Sequence, residues 1–195
     1  GGAWFLLMPS QLASKIGKSD VIRIRRRSIL AGAVAVGLAV GSFWYYFRQR
    51  CLPHFREVGQ GALYRSGQPR GLGLVALKFR GIATTVNLRG ANADGSEAER
   101  EFAEKHGIAF YNIPAGNTAD EIAVSVQRFL AIVDDCSSWP VLVHCSRGKE
   151  RSGVFSAVYR MEYDRWTNQE ALHEMYELGL DPGSMTAAET FIWEY

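Results

Sequence analysis

The residues of this sequence with the strongest potential for chemistry lie close together, between Cys145 and Ser152. Five residues separate Cys145 from Arg151, and Gly148 lies among them. A cysteine thiolate is a strong nucleophile, and a guanidinium can donate two parallel hydrogen bonds to a phosphate. Ser152 follows Arg151 directly, so its hydroxyl can hydrogen-bond to the cysteine sulfur. The spacing therefore predicts a nucleophile that faces a bound phosphate.

The residues on either side predict that this segment connects a strand to a helix. Val141 to Val143 form a predicted buried strand, and an apolar helical pattern begins at about Ser152. Backbone N–H groups at a helix N-terminus bind anions, and the same field lowers the pKa of a cysteine thiol placed there. We therefore expect the connecting loop to bind phosphate and to activate Cys145.

This pattern resembles the signature of the cysteine-dependent protein tyrosine and dual-specificity phosphatases. Cys145, Arg151 and the adjacent Ser152 stand at the signature spacing, and residues 62–69 resemble the opening strand of the small atypical dual-specificity phosphatases. The resemblance implies a phosphatase-type enzyme that works through a phosphocysteine intermediate. It implies no metal and no other cofactor.

The interior of the loop bears on the substrate. Arg147, Gly148 and Lys149 resemble the loop of the plant and fungal branch, which is associated with inositol pyrophosphate and phosphoprotein hydrolysis, and bacterial exported members are described as tyrosine phosphatases. The resemblance thus implies a phosphoprotein or an inositol polyphosphate as substrate. The residues assigned to substrate binding are Ser146, Arg147, Gly148, Lys149, Glu150 and Arg151. The two extra cations favour multiply phosphorylated ligands, whereas Glu150 opposes them.

The general acid is a separate question. In the resembled family an aspartate precedes the helix that leads to the signature strand, and Asp120 is the aspartate of the corresponding loop. Asp120 is equally suited to the first turn of a helix, where an acidic side chain stabilises the helix dipole. Glu121 and Asp94 are the reserve candidates. Arg89, at the end of another predicted strand, is either catalytic or part of a structural ion pair.

Two further functions fit the same residues. A domain of this fold without an effective acid would be a non-catalytic phosphate-binding module. A reactive cysteine in a loop also occurs in thiol redox and sulfur-transfer proteins, although the position of Arg151 and Ser152 favours phosphate chemistry.

The net charge of +2 conceals an uneven distribution along the chain. Residues 1–50 contain eight basic residues and one acidic residue, whereas residues 51–195 contain 14 basic and 19 acidic residues. The larger part is therefore acidic, which argues against nucleic acid as a partner. Three cysteines do not form a disulfide framework at this length. A Cys51–Cys136 bond stays open for a domain outside the cytoplasm.

Residues 29–47 contain no charged side chain and are long enough to cross the apolar core of a bilayer. Arginines at 23 and 25–27 precede this segment and aromatic residues 44–46 end it, which predicts a cytoplasmic N-terminus and an extracytoplasmic domain. The alternative is export with cleavage, because Arg26 and Arg27 resemble a twin-arginine signal. The predicted organisation is a disordered basic segment (1–28), a transmembrane helix (29–47), a linker (48–59) and a phosphatase domain (60–195).

Within that domain, strands alternate with helices. The predicted strands lie within 62–69, 82–88, 108–113 and 141–143, and the predicted helices within 72–79, 96–106, 122–133, 152–161, 167–178 and 186–195. Such alternation predicts an α/β fold with a mostly parallel central sheet flanked by helices. In such sheets ligands bind at the carboxyl ends of the strands, where both the Cys145 loop and the loop before Asp120 would lie.

Overall fold

The computed structural model describes residues 18–181 and 186–195. The chain divides into two compact units, residues 1–45 and 46–195. Helix α1 (Lys18–Tyr46) ends at the first residue of the second unit, and a π-helical turn, Phe47–Cys51, follows it.

Helix α1 starts earlier than the sequence pattern suggested. Residues 18–28 are helical, so the predicted disorder is wrong for them, while residues 1–17 lie outside the described part of the chain. The prediction rested on the absence of an apolar period, but arginine and lysine are good helix formers and no glycine or proline interrupts residues 18–30. Within Arg26–Cys51, an 18-residue window has a mean hydropathy of 1.6, so this helix is long and apolar enough to cross a membrane. A signal sequence near the N-terminus has the same properties, so the predicted transmembrane span stays a prediction.

The second unit is built on a five-stranded sheet. Its strands are β1 (Arg56–Gly59), β2 (Leu63–Gly67), β3 (Thr84–Asn87), β4 (Ala109–Asn112) and β5 (Val141–Cys145). Their order is β1-β2-β5-β3-β4; β1 runs antiparallel to β2, and the other neighbours are parallel. The predicted α/β fold with a mostly parallel sheet is thus confirmed.

Among the described residues of this unit, six α-helices follow or separate the strands. They are α2 (Leu72–Phe79), α3 (Ser96–His106), α4 (Ala119–Val133), α5 (Glu150–Tyr163), α6 (Asn168–Glu177) and α7 (Ala187–Glu194). Threonines cap α4, α6 and α7, each in a capping box with the glutamate three residues later. The side chains of such boxes satisfy N–H groups that the helix leaves unpaired, which fixes where these helices begin.

The central strand β5 separates two hydrophobic clusters. Val141, Val143 and Cys145 belong to the larger cluster, which includes residues of α4–α7, whereas Leu142 belongs to a smaller cluster with Leu74 and Leu77 of α2. Alternate side chains of a strand point to opposite faces of the sheet. The alternation along β5 therefore places Cys145 on the face covered by α5.

The domain begins before residue 60, so part of the predicted linker is folded. Cys51 and Leu52 are buried, and β1 pairs with β2 along residues 56–59. The strand escaped prediction because Val58 is its one large apolar residue, which leaves no alternating pattern to detect. Cys51, Cys136 and Cys145 are all free thiols, so the Cys51–Cys136 bond is not formed.

Candidate active site

The loop that the sequence singled out leaves the carboxyl end of the central strand. Cys145 is the last residue of β5, residues 146–149 turn, and α5 begins at Glu150, two residues before the predicted start. The sharp turn requires Gly148, whose φ of 75° lies in the left-handed region. A Cβ at this position would also collide with the backbone of Gly67 at the end of β2. The loop thus packs backbone to backbone against the neighbouring strand.

The thiol of Cys145 lies among hydrogen-bond donors. The Gly148 N–H donates to Sγ at 3.2 Å, and the Ser152 hydroxyl is 3.6 Å from it. Burial raises the pKa of Cys145, but hydrogen bonds from the Ser152 backbone and hydroxyl and from the backbones of Gly148 and Lys149 lower it by more. The net effect is a pKa below the ordinary value, which favours the thiolate.

Arg65 supports the loop from β2, although no motif in the sequence marked it as part of the site. Its side chain is 2% exposed, and Nη2 donates to the carbonyl oxygens of Gly148 and Lys149 at 3.0 and 2.8 Å. Burial lowers the pKa of Arg65 to about 10, although the charges of Glu174 and Cys145 oppose this. The sequence did contain one signal for this role, since an arginine within a strand that is expected to be buried needs polar partners. These bonds hold the loop carbonyls away from Cys145, so the loop N–H groups can face the thiolate.

A buried polar network supports the strand end from the other face. The His144 ring Nε2 lies 2.8 Å from Glu99 Oε1, and Gln68 Nε2 donates to Glu99 Oε2 at 2.8 Å. His144 and Glu99 are 0% and 1% exposed. These hydrogen bonds hold the buried groups in one arrangement, while His144 Nδ1 is left without a hydrogen-bond partner among the described residues. The network therefore fixes the residue before Cys145.

Arg89 joins this network through neutral partners. Its Nη1 donates to Gln68 Oε1 and to the Asp94 carbonyl oxygen, both at 2.7 Å. Within the described residues it forms no ion pair, so that part of the expectation is wrong. Arg89 instead orients the amide of Gln68.

Arg151 lies where the loop and the segment after β4 meet. With Asn117 it lines a cavity of about 150 Å³, which Glu150 also lines, and a wider cleft of about 590 Å³, which Arg128 also lines. Arg151 is exposed at the first turn of α5. The expected meeting of the Cys145 loop with the loop before Asp120 is therefore observed. Two guanidiniums line the wider cleft.

The three acid candidates differ in their surroundings. Asp120 is exposed in the first turn of α4 and has no hydrogen-bond partner among the described residues. The Glu121 carboxylate accepts the N–H of Asn117 at 2.7 Å and completes the capping box of α4. Asp94 accepts a hydrogen bond from Arg70 at 2.9 Å. Asp120 is thus the candidate whose carboxylate is not already engaged.

The other loop residues that were predicted to bind substrate differ in their exposure and in the cavities they line. Ser146 and Arg147 are exposed, and the Arg147 carbonyl oxygen is 2.8 Å from Nδ1 of His54. Gly148 and Lys149 line a third cavity, of about 230 Å³.

Replacement of Ser152 by alanine is expected to raise the pKa of Cys145, because it removes the hydroxyl that stabilises the thiolate. The thiolate forms as pH rises through this pKa, so alkylation by iodoacetamide should require a higher pH. The measurement is the pH dependence of the alkylation rate. Ser156→Ala is the matched control, since Ser156 lies one turn later and donates to the Ser152 carbonyl oxygen. An equal pH dependence in both variants would contradict the role of Ser152.

Comparison with known families decides the classification. Residues 51–193 match the family model described as DSP-PTPase phosphatase fused to NAD+ kinase. The chain belongs to this phosphatase family. The predicted relationship to dual-specificity phosphatases is confirmed. The matched range also begins at Cys51, in agreement with the folded start of the second unit.

Individual relatives of this phosphatase agree with the family. The chain is 30% identical over 125 residues to the tyrosine-protein phosphatase-like protein OCA2 of Saccharomyces cerevisiae, which is 64% of this chain and 62% of OCA2. It is 29% identical to the dual specificity protein phosphatase TpbA of Pseudomonas aeruginosa, over 67% of this chain and 57% of TpbA. The chain thus spans about 60% of the length of these relatives.

A solved structure shows the same fold. The core catalytic domain of the PP-IP phosphatase SIW14 from S. cerevisiae, in complex with citrate, superposes with a TM-score of 0.61. The match covers 74% of this chain and 86% of the SIW14 domain, at 22% sequence identity.

Proposed function

We propose that this protein hydrolyses phosphate esters or anhydrides through a phosphocysteine intermediate on Cys145. The observation that carries the proposal is the thiolate-stabilising environment of Cys145 at the start of the loop, with the exposed Arg151 in the first turn of the helix that follows it. Sγ attacks phosphorus, the bond to the leaving oxygen breaks, and that oxygen takes a proton from an acid. A water molecule then attacks the phosphocysteine, with the same carboxylate as base, and releases phosphate and the thiolate.

The proposed substrate is a phosphoprotein or an inositol polyphosphate. The relative TpbA is a dual specificity protein phosphatase, which supports a phosphoprotein substrate. The structural neighbour SIW14 is a PP-IP phosphatase, which supports an inositol polyphosphate. Arg128 and Arg151 line one cleft of about 590 Å³, which favours a ligand with more than one phosphate. Among the candidate substrates, we therefore favour inositol polyphosphates that carry a pyrophosphate group.

The test is a substrate panel on the purified full chain. Phosphotyrosine peptides, phosphoinositides and inositol pyrophosphates are compared at equal concentration by release of inorganic phosphate. We expect the highest kcat/KM for an inositol pyrophosphate. Binding of these ligands without phosphate release from any of them would instead support the non-catalytic phosphate-binding module.

Asp120 is the proposed general acid, and Asp120→Asn is expected to lower kcat by about 10²-fold, within the usual range for acid–base catalysis. The loss of rate at alkaline pH, where the acid has given up its proton, should disappear in this variant. The measurement is the pH profile of kcat with a poor leaving group. Asp134→Asn, at the other end of α4, is the control. An unchanged profile in Asp120→Asn would exclude Asp120.

We propose that α1 anchors the protein as a single-pass helix, with the catalytic domain outside the cytoplasm. The length and apolar character of Arg26–Cys51 and the arginines before it support this topology. After alkaline carbonate extraction, the full-length chain should remain in the membrane fraction. A shorter, soluble chain would indicate export with signal cleavage.

A further inference from the structure

A third cavity, of about 230 Å³, lies beside the catalytic loop and is lined by basic side chains. Its walls come from the start of the domain, from β2, from the loop and from the end of α6. The lining residues that carry the argument are His54, Arg56, Arg65, Lys149, Glu177 and Gly179.

The basic groups of this cavity have no direct ion pair with a carboxylate among the described residues, although the charge of Glu174 acts on Arg65. Arg56, Arg65 and Lys149 form no salt bridge with any carboxylate among the described residues. Glu177 is the acidic residue in the wall, and it lies 3.4 Å from Nε2 of His173. The charge of Arg56 also lowers the pKa of Arg65, so these two cations repel each other. A negative ligand between them would remove this repulsion.

Arg65 is the buried donor of the cavity. Its Nη2 is bound to the carbonyl oxygens of Gly148 and Lys149, but its Nη1 is buried with no hydrogen-bond partner among the described residues. Buried polar groups without a partner are rare in native proteins, and a bound ion is one way in which such a group is satisfied. The cavity thus brings together three basic side chains, and the guanidinium of Arg65 keeps one buried nitrogen that the described protein does not satisfy.

Lys149 contributes to this cavity because Gly179 gives it space. A Cβ at residue 179 would lie 3.1 Å from Lys149 Nζ, and Gly179 has a φ of 96° that only glycine adopts readily. The lysine that the sequence assigned to substrate binding thus extends along the end of α6.

We propose that this cavity is a second phosphate site, which binds one phosphate-type oxyanion through Arg56, Arg65 and Lys149. Three cations suit a dianion better than a carboxylate, and the volume is sufficient for a single tetrahedral ion with water. The ligand is free phosphate or the phosphate group of a small organic phosphate. Because Arg65 also holds the loop carbonyls, the bound ion would stabilise the loop conformation that faces Cys145.

The experiment measures phosphate binding and not activity, so its outcome is independent of the proposed catalysis. In the full chain, Cys145→Ser with Arg151→Ala removes the nucleophile and the guanidinium of the catalytic loop. Inorganic phosphate is titrated by calorimetry, and we expect binding to remain. Adding Arg56→Gln should weaken it about tenfold, the loss typical of one charge-assisted hydrogen bond. Arg100→Gln, an exposed change on α3, is the matched control and should leave binding unchanged.

Two further variants and a second probe sharpen the result. Arg65→Met removes the buried donor but risks unfolding, so Arg56→Gln and Lys149→Gln carry the test after circular dichroism confirms their fold. Glycerol phosphate is titrated in parallel: an equal loss of its affinity assigns the site to organic phosphates, and binding of inorganic phosphate alone assigns it to the free ion. No phosphate binding in the background variant, or equal binding by Arg56→Gln and Arg100→Gln, would overturn the proposal.

Discussion

Replacement of Cys145 by serine is expected to lower the rate of phosphate release by at least about 10⁴-fold, the order of loss seen when a covalent nucleophile is removed. The side chain lies in a buried cluster, where serine fits without a cavity, so the variant should fold. A serine hydroxyl is a far weaker acid than the Cys145 thiol, whose pKa is lowered by hydrogen bonds from the loop, so the loop N–H groups of the variant have no anion to stabilise. Binding should survive the loss of turnover, because Arg151 and the loop N–H groups remain.

The measurement pairs turnover with chemical trapping. Acid quenching of the unmodified protein during turnover should yield a phosphorylated Cys145, identified by peptide mass, whereas Cys145→Ser should yield none. Cys136→Ser is the control, since Cys136 is an exposed thiol in a 3₁₀ turn and its loss should leave the rate unchanged. Full turnover by Cys145→Ser would refute the phosphocysteine mechanism.

Elements with strong local patterns were predicted closely. The bounds of α2 and α3 agree with the sequence prediction. Helix α2 has a regular apolar spacing, and α3 is a charged helix that Gly107 ends in the left-handed conformation expected of a helix stop. Strand β1 and the first turns of α1 were missed. A four-residue edge strand is defined by its partner β2, and a basic helix carries no apolar pattern to detect.

The same distinction applies to the site. Cys145, Arg151 and Ser152 were predicted because one local loop contains all three. Arg65 and Glu99 reach the loop and its strand from positions 83 and 45 residues away in sequence, and no local spacing encodes such contacts. The register of the parallel strands brings these residues close to the loop, because Gly67 of β2 pairs with Cys145 and Asn87 of β3 pairs with His144. The placement of the supporting residues beside the loop therefore depends on the topology of the sheet and not on local sequence.

Arg151→Lys is expected to lower kcat/KM by about 10²–10³-fold, although the charge is retained. A planar guanidinium can donate two parallel hydrogen bonds to the equatorial oxygens of a transferring phosphate, and an ammonium offers a point charge without this geometry. Loss of one such donor from a preorganised anion site lowers the rate by about 10²–10³-fold. The loss should fall mainly on kcat, because the charge on those oxygens is redistributed in the transition state.

Arg128→Lys is the matched control for this prediction. Arg128 lines the same wide cleft and is also exposed, but it lies on α4 and outside the catalytic loop. The control should change kcat by less than about threefold, with any effect in KM, as expected for a residue that binds substrate and transition state equally. A fall in kcat of the same size in both variants would mean that general positive charge in the cleft, and not the fork of Arg151, stabilises the transition state. Retention of full kcat by Arg151→Lys would remove Arg151 from the mechanism.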